Sequence, residues 1–160
     1  MKKIFLLSVL VVVLASCEKQ RLQKQFDIET KILTENFWVD DKNSYIIFYK
    51  KYKDKYFRVP VNYYWPELNE AHIDFHPEYN NYIYFYHLSL SDNPDYTFKF
   101  GLGTQYGKIE NNILILYTRT KGGLDTYNWY KSYYTKLTNQ IIIDMLNKQI
   151  DEIDLSLYYY

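Results

Sequence analysis

The sequence predicts a mainly β protein, an antiparallel meander followed by a C-terminal helix, and three observations carry that prediction. Short runs of aromatic and β-branched residues recur from Phe37 onward. Turn-forming clusters punctuate them: Tyr52-Lys53-Asp54, Gly101-Leu102-Gly103, Asn111-Asn112 and Lys121-Gly122-Gly123. Near the end, Gln140–Ile153 changes to helical spacing, with Ile142, Leu146, Ile150 and Ile153 on one face. About eight strand candidates joined by short turns suit a meander, while an α+β open antiparallel sheet with helices on one face is the rival.

The chain opens with MKKIFLLSVLVVVLASC. Lys2 and Lys3 precede an apolar run, Ile4 to Leu14, that is shorter than the roughly 20 residues a spanning helix needs. Leu14-Ala15-Ser16-Cys17 resembles the lipobox of bacterial lipoproteins. That resemblance implies a signal peptide over 1–16, cut before Cys17. It implies a diacylglyceryl group on the Cys17 thiol and acylation of the new amino end, palmitate included. Two or more acyl chains hold a protein stably on a membrane. The protein is then expected in the bacterial cell envelope, and Glu18, where Asp retains some lipoproteins at the inner membrane, favours the outer one. Residues 17–25 read as the lipidated N-terminus and a solvated tether, and 26–160 as a single β-rich domain.

Removing residues 1–16 takes away Lys2 and Lys3, leaving 17 basic against 19 acidic residues and a net charge of −2. That balance argues against a nucleic-acid partner. The single cysteine lies in the lipobox, so no disulfide is available. The chain holds 20 tyrosines. They suit a recognition surface, but codon bias together with the strand preference of Tyr explains them with fewer assumptions.

Along the chain, a short helix is expected within 20–35. Strands are expected at Ser44–Lys51, Lys55–Val61, His72–His76, Tyr82–His87, Tyr96–Phe100, Thr104–Glu110, Ile113–Thr120 and Tyr127–Leu137. Pro60 marks an edge or a strand end. Asn62 to Glu70 and Ser89–Asp95 read as loops, and Pro77–Asn81 as a hairpin-like connection. Asn111-Asn112 reads as a tight turn, because Asn tolerates positive φ. Leu114 and Leu116 alternate with Ile113, Ile115 and Tyr117, so that strand is expected to be covered on both faces. A helix is expected over 140–152, with Leu155–Tyr160 as a last strand.

Trp38 near the first strand, together with Asn111–Leu116 and Tyr134–Ile143, resembles the layout of lipocalin-like envelope lipoproteins. That likeness implies a barrel and a non-catalytic binding module for a small apolar ligand or a protein partner. An inhibitor or immunity-type lipoprotein that blocks an envelope enzyme is the alternative.

Catalytic motifs are absent from the sequence: there is no G-x-S-x-G elbow, Walker A or H-E-x-x-H string. Asp40-Asp41 and Asp151-Glu152 are adjacent carboxylates that a strand would point to opposite faces. No enzyme activity and no cofactor are expected. His72, Asp74 and His76 share a strand face and have metal-ligand chemistry, yet plain polar-apolar alternation with Ile73 and Phe75 accounts for them. Tyr82, Tyr84 and Tyr86 line one face of their strand and are the candidate binding strip.

Overall fold

The computed structural model describes residues 2–40, 45–64, 70–73, 84–101, 105–121 and 127–158. Helix α1 spans Lys2–Thr34. The strands are β1 (Trp38–Asp40), β2 (Tyr45–Tyr52), β3 (Lys55–Tyr64), β4 (Glu70–Ile73), β5 (Tyr84–Tyr86), β6 (Leu88–Leu90), β7 (Phe98–Phe100), β8 (Gln105–Glu110), β9 (Ile113–Lys121) and β10 (Tyr127–Lys136). Helix α2 (Gln140–Asp151) and a 3-10 turn, Leu155–Tyr158, complete the chain.

The described pairings are all antiparallel, in the order β4-β3-β2-β1-β10-β9-β8-β7-β6, with β5 also on β3. The first strand therefore pairs with the last, Trp38 opposite Lys136. Only His87 separates β5 from β6. Upstream of it, Tyr84–Tyr86 pairs β3; downstream, Leu88–Leu90 pairs β7. This one stretch joins both sides of the sheet and curls it into a nearly closed, lipocalin-like barrel, not the open sheet. Counted as one strand, it brings the ring to eight, with β4 attached farther along β3.

Several expected boundaries shift, each for a physical reason. The stretch 17–25 is helical rather than extended. Its Gln, Lys, Glu and Arg residues favour helix, and i,i+4 bonds link Gln23 to Asp27 and Gln25 to Glu29, both at 2.8 Å. No helix of the described residues is long and apolar enough to cross a membrane. Within the expected 62–70 loop, β3 runs on to Tyr64 and Glu70 opens β4, which it pairs; residues 65–69 lie outside the described residues. Glu70–Ile73 and Tyr84–Tyr86 each pair antiparallel with β3 and so run the same way as each other, whereas the expected 77–81 connection lies outside the described residues. Pro60 lies inside β3, opposite Ile47 of β2, between the described pairings of β3 with β5 and with β4. Ser89 belongs to β6. Tyr96 and Thr97 fall outside β7: the Thr97 N–H bonds the Gly107 carbonyl at 2.9 Å while Phe98 is also opposite Gly107, a bulge with two residues against one. In place of a last strand, Asp154 holds a 3-10 turn, accepting from the Ser156 N–H at 3.0 Å and hydroxyl at 2.6 Å.

The core has two layers. Inside the ring, Trp38, Ile47, Tyr49, Leu88, Phe98, Phe100, Leu114, Leu116 and Tyr134 pack with Leu33 of α1. Phe26 and Ile32 of α1 join them, so the second half of α1 caps one end of the barrel. Outside the ring, Ile142, Leu146 and Ile150 of α2 pack on Phe37, Val39, Ile46, Phe48, Phe57 and Val59. The Asn139 side chain caps α2 by accepting from the N–H groups of Ile141 and Ile142. Described residues on both faces of β1–β3 are thus buried, Ile47 and Tyr49 inside the ring and Phe48 and Phe57 outside it.

Candidate functional site

The outward face of β8–β10 has no such cover among the described residues. The Asn111-Asn112 turn, with φ of 52° and 63°, sets the register of β8 on β9 and puts Tyr106 opposite Tyr117. With Leu114 and Leu116 buried inside, alternation turns Ile113, Ile115, Tyr117 and Arg119 outward. On β10 the outward residues are Tyr127, Trp129, Lys131 and Tyr133, because Tyr134 opposite Leu114 points in.

These rings assemble into a ladder. Tyr117 stacks on Trp129 with centroids 4.5 Å apart, and Tyr96 stacks on the other side of Tyr117 at 5.4 Å. Tyr106 sits 5.9 Å from both Tyr96 and Trp129. The 97–98 bulge brings Tyr96 to this face. The 91–97 loop is fixed by its own bonds, including Ser91 N–H to Thr97 O at 3.0 Å and Asp95 N–H to Asn93 Oδ1 at 3.0 Å. At the ladder's edge, Lys99 bonds Asp92 and the Tyr106 hydroxyl also bonds it. The Lys99 bond is the main reason the Asp92 carboxyl titrates below the usual carboxylate range, with the Tyr106 hydroxyl adding to it. The Arg119 guanidinium lies 3.7 Å over the Tyr127 ring. Trp129 is 37% exposed and Tyr127 and Tyr133 about half exposed.

The sequence-predicted residues are placed as follows. Cys17 is an exposed free thiol on α1. Tyr84 and Tyr86 lie on β5, in register with Arg58 and Tyr56 of β3. Tyr82 lies outside the described residues. His72 is opposite Asn62 on β4, whereas Asp74 and His76 lie outside the described residues. No group of three His, Cys, Asp or Glu is gathered for a metal among the described residues. Asp40 sits on β1 and Asp151 at the end of α2, where Lys50 pairs with it at 3.2 Å.

A groove of about 440 Å³ runs between α1 and the 91–97 loop. It mixes Glu18, Arg21, Lys108 and Glu110 with Leu22 and Ile109, a lining too charged for a purely apolar ligand. The ladder was the feature the sequence reading missed. Its signal was present: a tight turn at 111–112 fixes Tyr106 against Tyr117, on the side of β9 opposite Leu114 and Leu116. Comparison with protein-family models, with curated proteins and with solved structures finds no match to this chain.

Proposed function

We propose that this chain is a lipid-anchored protein of the bacterial envelope, held through Cys17, that acts as a non-catalytic binding module for a protein partner. The observation that carries the reading is a contrast between two parts of the barrel. Among the described residues, large side chains such as Trp38, Tyr49, Phe98 and Phe100 pack together in the interior, which favours a partner over a small apolar ligand there, while an ordered aromatic ladder stays at the surface of β8–β10. Rings already stacked lose little freedom on binding, and Tyr, Trp and Arg are the residues that dominate interface energetics. Lys131 lies opposite Tyr117 on the same face, so the surface joins aromatic area to positive charge and fits a partner with an acidic rim.

The test compares wild-type, Trp129→Ala and Cys17→Ser chains in detergent-solubilised envelopes, with thermal melts of each. Trp129→Ala is expected to weaken capture of the native partner by roughly 2 kcal/mol or more while moving stability by less than about 1 kcal/mol. Cys17→Ser is expected to leave the chain unprocessed or unanchored. Equal capture by wild type and Trp129→Ala sinks the ladder as the binding face. A captured enzyme whose activity falls when the chain is added identifies the partner binding as inhibition.

A further inference from the structure

We propose that the β2–β3 hairpin is a second membrane contact, docking on anionic lipid headgroups beside the lipid anchor; this rests on the anchored reading above. Residues 50–56 read Lys-Lys-Tyr-Lys-Asp-Lys-Tyr, four lysines against one aspartate. Lys50 is paired with Asp151. The others crown the tip: the Lys51 ammonium lies 5.7 Å over the Tyr56 ring and that of Lys53 lies 5.3 Å over Tyr52. Cationic groups held against tyrosine rings suit the headgroup layer, where a phenol has one apolar side and one wet edge. Lys53 takes φ 54°, a left-handed position where Gly or Asn is easier, yet lysine occupies it.

The second observation is placement. Trp38 opens β1 and is opposite Ile47. Being antiparallel, β2 then runs on past Trp38 toward the end from which α1 arrives. The hairpin tip and α1 therefore share one end of the barrel. Phe26 is docked there against Phe98, with ring centroids 5.9 Å apart. Nine helical residues from Cys17 to Phe26 reach only roughly 13 Å. An acylated Cys17 holds this end, and not the opposite one, toward the bilayer. Anionic headgroups are the occupant that both the charge and this short tether select.

The experiment uses the full lipidated chain purified from membranes and inserted into phosphatidylcholine vesicles, with or without phosphatidylglycerol. Lysine acetylation is read by mass spectrometry. Lys51, Lys53 and Lys55 are expected to react roughly fivefold more slowly on the anionic vesicles, recovering in high salt, while Lys131 on β10 reacts alike on both. A Lys53→Glu/Lys55→Glu chain should float with neutral vesicles as wild type does, yet lose the protection of Lys51. Equal reactivity of the hairpin lysines on both vesicles, or equal protection of Lys131, overturns the docking. An intact mass without acyl groups overturns the anchored reading itself, and the orientation with it.

Discussion

A methyl group added at Gly107 would meet Phe100 Cε2 at 2.9 Å and Leu116 Cδ2 at 3.1 Å. The residue is glycine because β8 passes under two interior side chains at this point, not because its backbone needs special freedom. Gly107→Ala is expected to destabilise the chain by about 1–3 kcal/mol in urea unfolding; a neutral result would mean the interior is looser than described. The Asp92–Lys99 pair makes a pH prediction. Asp92 is held below its ordinary value, chiefly by the Lys99 hydrogen bond, so its contribution is present above the unfolded value and fades as pH falls through the depressed one. Lys99 is raised by the Asp92 bond, so its contribution is present below the unfolded value and is lost as pH rises through the folded one. Asp92 is exposed and Lys99 half-buried at the surface, so solvent screens the pair and the effect belongs to the local titration and not to global stability. In an NMR titration, Lys99→Met should move the Asp92 carboxyl midpoint upward; an unmoved midpoint would remove the lysine as its cause.

Among the elements, β9 carries the sharpest contrast between its faces. Leu114 and Leu116 are 0% and 1% exposed, whereas Ile115 and Tyr117 on the other side border solvent. Leu114→Ala and Leu116→Ala are each expected to cost about 2–5 kcal/mol, and less than about 1 kcal/mol at both positions would place the core elsewhere. This hairpin and α2 were legible in the sequence because their signals are local. Two asparagines accept positive φ at 111 and 112, and Ile142, Leu146 and Ile150 repeat at helical spacing. The closing strand was not legible. Tyr84–Leu90 changes partners at His87, and both partners, β3 and β7, are fixed by the curl of the whole sheet. The long α1 was also missed, because the polar run after Cys17 reads equally as tether or helix until Phe26 docks on Phe98. The outward ladder on β8–β10 was not legible as a whole either, because the 97–98 bulge that adds Tyr96 has no local sequence signal.

At the scale of the whole molecule, each outer surface of the barrel has a different fate. Helix α2 covers β1–β3, α1 caps one end, and among the described residues nothing covers the β8–β10 face, where the rings stack. A stable barrel does not require stacked rings on an uncovered face, and such rings suit the binding module proposed above. The most direct measurement is site-specific photo-crosslinking in living cells, with the photoreactive residue placed in turn at Trp129, at Tyr133 and, on the exposed side of α2, at Asn147. The account predicts the same discrete cross-linked species from the two β10 positions, lost on adding Tyr117→Ala, and none from Asn147. A species formed from Asn147 and not from β10 would contradict it.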